Sequence, residues 1–446
     1  MQRASVLELS MCSLSVNTYV YIPGKNWKLS LAELISFLKM KNNEFRINEF
    51  SKAFFIATIN DQHDSDIERL GGMLKIGKVI STIETRTLER AYIKKDKMAQ
   101  GKIETSFSSN EIIEEMLSTH PSKLVFGVSI YCSGGPLCNI SKSMNHSIGN
   151  AIKHELSMRG KKSRFLGFPK LREQPQLTHV EVLKKNLVKN KAEVLFCVGE
   201  KQSWISKTIA VHNPFEFQKR DIGRPVQRRI FAMPPRLAKI MVNLASCGGG
   251  TTLLDPFCGI GTILQEALLN SAKVIGLDWN SWCVNASRVN LRWLIKEYRL
   301  RDADYTILHG DARHLTDLLQ EEIDCIVTEP DLGPALRQVP TMPYARRIIE
   351  KLEPLYFDFL REAYAVLKKD GRLVMVAPYV KTRSGEPVTM HIEQEAKDVG
   401  FKIRYPFQSH DFAGEGNLLT CLTRTTSLVD VAERHKIGRE ILILQK

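Results

Sequence analysis

The chain has 446 residues, 43% of them hydrophobic and 25% charged, the balance of a globular protein long enough for two or three domains. No run of 18 apolar residues is present, which excludes a membrane-spanning helix, and the stretch up to Gly24 lacks the apolar core and small-residue cleavage site of a signal peptide. Nine cysteines stand singly, with no CxxC pair and no Cys/His cluster at zinc spacing, so reduced thiols in a cytoplasmic protein are expected, without structural disulfides or a bound metal.

Residues 1–16 carry no pattern and read as a leader. From 17 to 120 the pattern is a small α+β unit. NTYVYIP alternates as a strand, and Leu31, Leu34, Ile35 and Leu38 repeat at helical spacing, with Ser30 and Glu33 placed as a capping box. The runs FFIATI and VISTIE follow as strands. A second unit covers 121–211: LVFGVSIY as a strand, a basic helix ending at Gly160, then SRFLGF, EVLFCVG and SWISKTIAV as strands. Pro, Gly and charge content mark 212–236 as a basic linker. The net charge of +14 is concentrated: between Lys153 and Lys239 there are 20 Lys and Arg against 7 Asp and Glu. A solvated basic face is the plain reading. An excess packed into a fifth of the chain points instead to a polyanion, because neutralising phosphates releases counterions. Lys161, Lys162, Arg164, Lys184 and Lys185, with Lys219, Arg220, Arg224, Arg228 and Arg229 in the linker, are the candidate contacts.

From 237 to 446 apolar strand-like runs alternate with helical stretches: TTLLD, KVIGLD, YTILHGD, IDCIVTEP, GRLVMVAP, FKIRYPF and REILIL. That alternation predicts a doubly wound α/β domain on a parallel sheet, which binds ligands beyond the carboxyl ends of its strands. Four successive strands end in a carboxylate-bearing turn. They are Asp255 before Pro256-Phe257-Cys258-Gly259-Ile260-Gly261-Thr262, then Asp278-Trp279, Asp311-Ala312, and Glu329-Pro330-Asp331-Leu332. A glycine turn alone often means tight packing, and a strand-terminal Asp often means a helix cap. Four together point to a nucleoside site. The first turn lacks the third glycine of a dinucleotide fingerprint, and Asp255 would repel a pyrophosphate while suiting a cationic nucleoside such as S-adenosylmethionine.

DPFCGIGTILQEAL, the Asp278 and Asp311 strand ends, and the stretch TIAVHNPFEFQKRDIGRP…MPPRLAKIMVNLA resemble the THUMP-containing tRNA guanine-N2 methyltransferases, the group that modifies guanosine ten. The resemblance extends over about residues 17–446 and implies a ferredoxin-like domain (17–120) and a THUMP RNA-binding domain (121–211) ahead of a Rossmann-like methyltransferase domain (237–446). It implies S-adenosylmethionine as cofactor and tRNA as partner, with a small activating protein subunit as a further candidate. By the same resemblance Asp255, Phe257, Gly259, Gly261 and Thr262 surround the methionine part, Asp278 holds the ribose, Trp279 flanks the adenine, and Asp311 with Ala312 meets the adenine edge. The family's amine-activating motif, Asp/Asn-Pro-Pro-aromatic, falls on Glu329, Pro330, Asp331 and Leu332. In that motif a carboxylate and a backbone carbonyl bond both hydrogens of an aryl amine, localise its lone pair and aim it at the methyl, while the aromatic stacks on the flipped base.

Here Asp331 stands for the second proline and Leu332 for the aromatic. Three readings compete: Glu329 accepts the amine while Tyr379 or Tyr344 stacks, another base or atom is methylated, or the fold is kept as a catalytically weak RNA-binding module. A DNA amino-methyltransferase shares the catalytic motifs, and the basic N-terminal units argue for RNA. Gly333-Pro334 keeps the loop a tight turn. Cys258, His212 and His309 read as packing or loop residues rather than a nucleophile or bases.

Overall fold

The computed structural model describes residues 17–60, 66–108, 111–119, 123–167, 175–228, 233–414 and 416–446; the leader expected at 1–16 lies outside them. Among the described residues the strands form two sheets. The first holds β1 (Asn17–Pro23), β2 (Phe45–Phe50), β3 (Phe55–Ile59), β4 (Met73–Glu84), β5 (Leu124–Cys132), β6 (Ser163–Leu166), β7 (Glu193–Val198) and β8 (Gln202–Val211), in the order β2-β3-β1-β4-β8-β7-β5-β6. The boundary expected near residue 120 does not divide it. β4 pairs antiparallel with β1 through Met73–Lys78 and with β8 through Lys75–Glu84, so both N-terminal units share one continuous sheet.

The second sheet holds β9 (Thr252–Asp255), β10 (Lys273–Asp278), β11 (Tyr305–His309), β12 (Ile323–Thr328), β13 (Leu367–Val380), β14 (Val388–Thr389), β15 (Lys402–Ile403), β16 (Ser427–Asp430) and β17 (Ile437–Gln445). Its path is β11-β10-β9-β12-β13-β17-β15, with β14 on β13 and β16 on β17. β9 to β13 are parallel, and the apolar runs of β9, β10 and β12 fit strands covered on both faces. β17, read from REILIL as one more parallel strand, runs antiparallel between β13 and β15. The chain steps from β9 outward to β10 and β11, then returns to β12 on the other side. This reversal opens a crevice at the carboxyl ends of β9 and β12. No helix among the described residues is long and apolar enough to cross a membrane.

The two sheets are joined by packing of the helix Trp27–Met40 on the helix Pro235–Leu244, inside one apolar cluster running from Leu31 and Leu34 through Leu237 and Met241 to Leu253 and Leu264. Each such fully buried side chain contributes roughly 1.5–3 kcal/mol. Polar groups fix the orientation. Glu33 accepts from the backbone N–H of Gly71 and Gly72 and from the Asn243 amide, each at 2.7 Å, and Arg236 donates to Gly71 O at 2.6 Å. Glu33 is therefore no capping-box member. The helix starts three residues before Ser30, and Asn26 caps it by accepting from Leu29 N. The supposed linker is also built: Pro214–Ile222 is a helix capped by Asn213 and anchored by buried Phe217 and Arg220.

Candidate active site

The crevice is assembled from the ends of β9, β10, β11 and β12. Asp255, 1% exposed, accepts from Thr328 Oγ1 at 2.8 Å and from Phe257 N at 3.3 Å, tying β9 to β12. Burial pushes its carboxyl up to about 7 against those two hydrogen bonds. The turn after it needs Gly259 (φ 54°) and Gly261 (φ 86°) in left-handed conformations. A Cβ on Gly259 would meet no heavy atom within 4 Å, so that side of the turn is open to a ligand. Gly259 N donates to Asp278 Oδ2 and Cys258 N to Leu277 O, both at 2.9 Å, which stitches the turn to the end of β10. From the helix Ser281–Tyr298, Ser287 Oγ donates to Gly259 O at 2.9 Å and Asn290 Nδ2 to Ile260 O at 3.0 Å.

Asp278 is buried and also accepts from Asn280 N at 2.9 Å, so it shapes the turn while leaving acceptor lone pairs. Trp279 beside it is 74% exposed, and its carbonyl is 2.9 Å from His309 Nε2. Asp311 caps Ala312–His314 by accepting from Arg313 N at 3.0 Å, and the Arg313 guanidinium, at 2.6 Å, holds its carboxyl below the usual range. Ala312 is buried behind it. Phe257 packs edge-on against Phe359.

At the end of β12 the side chains of Glu329 and Arg439 are 12% and 10% exposed. Arg439, on β17, clamps both carboxylate oxygens through Nε and, at 3.2 Å, Nη2. Pro330 is buried and Asp331 exposed. Asp331 Oδ1 accepts from Gly333 N at 3.0 Å, its carbonyl accepts from Tyr356 Oη at 3.0 Å, and Gly333 (φ 97°) holds the loop against Ile348. Leu332 packs on the core, while Tyr344 is 45% exposed and Tyr379 half-buried opposite Gly438. Thr328, Ser287, Asn290 and Arg439 were not singled out in the sequence, since each acts through a partner distant along the chain.

The basic candidates divide. Lys162, Arg164, Lys184, Lys185 and Arg228 are exposed. Lys161 is half-buried and donates to Thr119 O at 2.5 Å, Lys219 is exposed but paired with Glu297 at 2.5 Å, and Arg229 lies outside the described residues. Arg220 and Arg224, expected at phosphates, are 4% and 3% exposed and turn inward. Arg220 bonds Glu266, which also receives Lys239 at 3.0 Å, and Arg224 donates to Thr262 Oγ1 at 2.7 Å. Both point away from the outer surface that an RNA backbone would meet, so both leave the RNA-facing set. His212 packs between His179 and Phe217 with burial pulling it down to about 3, and burial raises the Cys258 thiol, as their packing roles require. A separate cleft of about 1650 Å³ opens on the first sheet. Its charged lining is mixed: Lys52 and Lys201 stand with Glu49, Glu89 and Glu200, while the Lys75 ammonium is paired with buried Glu193, a balance that does not favour a phosphate backbone.

Residues 225–384 match the RMKL-like methyltransferase domain family. Over 178 residues the chain is 35% identical to the tRNA (guanine(10)-N2)-dimethyltransferase of Methanothermobacter thermautotrophicus, covering 39% of this chain and 47% of that protein. It is 34% identical over 146 residues to the "Probable tRNA (guanine(10)-N2)-dimethyltransferase" of Methanothermococcus thermolithotrophicus, covering 32% of this chain and 79% of that one. The match spans about half the length of the longer curated relatives, 43% to 55%. The crystal structure of TrmN from Thermus thermophilus superposes with a TM-score of 0.52 at 17% identity, over 96% of this chain and 99% of that one, and shows the shared fold.

Proposed function

The chain belongs to the family of the tRNA (guanine-N2)-methyltransferases, and from that membership we propose that it transfers a methyl group from S-adenosylmethionine to the exocyclic N2 of a guanosine, position ten, in tRNA. The observation that carries the reading is the convergence of Asp255, Asp278, Asp311 and Glu329 at the carboxyl ends of adjacent strands, on a glycine turn open to a ligand. The residues suit the cofactor: buried Asp255 complements its ammonium group, Asp278 retains acceptors for ribose hydroxyls, Trp279 offers a ring face, and Asp311 stands at the adenine end. When bound, the sulfonium supplies an activated methyl.

The chain's own task is to hold the acceptor. Glu329 and a loop carbonyl accept the two amine hydrogens and point the lone pair at the methyl, and Arg439, bonded to both carboxylate oxygens, holds Glu329 in place. Leu332 is packed into the core, so Tyr344 or Tyr379 supplies the ring for the flipped base. Residues 17–120 and 121–211 act as the ferredoxin-like and THUMP-like parts that grip the RNA, through Lys162, Arg164, Lys184 and Lys185, with Arg228 of the 212–236 segment beside them, in the cytoplasm. The small activating subunit finds no support in the site or the relatives. Incubating the protein with methyl-labelled cofactor and unmodified tRNA, then digesting to nucleosides, tests the proposal. Label in N2-methylguanosine supports it; label in another nucleoside, or salt-sensitive tRNA binding without label, refutes it.

A further inference from the structure

Arg224 is a buried cation with no ion pair among the described residues, Asp221 and Glu266 acting on it only from a distance. It is 3% exposed, Nη1 donates to Thr262 Oγ1 at 2.7 Å, Nε is buried with no acceptor, and among the described residues no carboxylate lies within ion-pair distance. Glu266, four residues beyond Thr262, is already held by Arg220 and Lys239. Leaving a guanidinium in this state is costly unless an anion completes it.

Its position says which anion. Thr262 follows the left-handed Gly261 of the cofactor turn. Two residues after Arg224, the Val226 backbone exchanges hydrogen bonds with the Asn290 amide at 2.9 and 3.1 Å, and the same amide donates to Ile260 O in that turn. Pro225 further confines the Arg224 backbone to extended conformations. The side chain is thus fastened to the turn on which the methionine part of the cofactor rests in the reading above.

Resting on that reading, we infer that Arg224 is the receptor for the cofactor's α-carboxylate, the partner of Asp255 in holding the amino-acid zwitterion. The matched family domain begins at the next residue. The charge counted in the sequence toward RNA binding serves the cofactor instead.

Calorimetry with S-adenosylhomocysteine and with its decarboxylated analogue, which lacks only that carboxylate, tests this. The full-length protein should prefer the carboxylated ligand by about 10- to 100-fold. Arg224→Gln should abolish the preference while leaving tRNA affinity unchanged. Thr262→Val, which removes the hydroxyl that orients the guanidinium, should reduce it. Equal binding of the two ligands by the unaltered protein overturns the inference, whether or not the variants fold. A preference that survives Arg224→Gln does the same. Failure of the unaltered protein to bind either ligand overturns the cofactor reading itself, and the inference with it.

Discussion

Glu329→Gln separates two roles that meet in one carboxylate. The substitution keeps side-chain length and one acceptor oxygen but removes the charge. Glu329 and Arg439 are 12% and 10% exposed at their side chains, so the broken pair leaves a buried guanidinium. Losing one partner of such a pair costs about 3–5 kcal/mol, toward the lower end here because Asp430 also acts on Arg439. Losing a charged acceptor aimed at the reacting amine costs roughly 100- to 1000-fold in rate. Single-turnover transfer of labelled methyl should therefore slow by about that factor with cofactor affinity unchanged, and thermal unfolding should shift down. Adding Arg439→Gln removes the orphaned cation, so the double variant should recover most of the lost stability and none of the lost rate. An unchanged rate in Glu329→Gln would take this residue out of the mechanism. A double variant as unstable as the single one would refute the buried-pair argument.

Asp278→Ala should weaken S-adenosylhomocysteine binding in calorimetry, through the ribose and through the freed Gly259 N–H, with little change in tRNA affinity; equal loss of both would remove the assignment. Asp255 titrates near 7, raised from 3.8 by burial, and must be ionised to pair with an ammonium. At pH 6 only about a tenth is ionised, so apparent cofactor affinity should fall roughly tenfold between pH 8 and pH 6. Asp255→Asn should flatten that profile. The same raised value makes Asp255 favour folding at low pH and lose that contribution as pH rises from about 4 to about 7 in the ligand-free protein. Glu266→Gln strands Arg220 and Lys239 in the interior and should lower stability by about 3–5 kcal/mol in urea unfolding; a loss under 1 kcal/mol contradicts the triad.

The strand ends at Asp255, Asp278 and Glu329 were legible because a strand buried on both faces reads as a near-unbroken apolar run and a change of texture marks where it stops, while Asp311 follows the short YTIL run of the edge strand β11. Direction was not legible. Periodicity is the same for either chain sense, which hid the reversal of β17. β2, half of whose residues are polar, and the two-residue β14 and β15 carry too little pattern to see. Ser30 and Glu33 match a capping box, yet Asn26 sits earlier with the required geometry, and Glu33's partners, Gly71, Gly72 and Asn243, are 38 to 210 residues away. Charge counting failed at Arg220 and Arg224 for the same reason: composition tallies a cation, while burial against Glu266 or Thr262 is decided by the fold. Arg439 meets Glu329 across 110 residues, and nothing local announces the pair.

An exocyclic amine beside Glu329 is the proposed methyl acceptor. Two otherwise identical tRNA transcripts, one with guanosine at the target position and one with inosine, which lacks the 2-amino group, put this to the test with labelled S-adenosylmethionine. Label should enter the guanosine transcript and be absent from the inosine one. Equal labelling of both would contradict it.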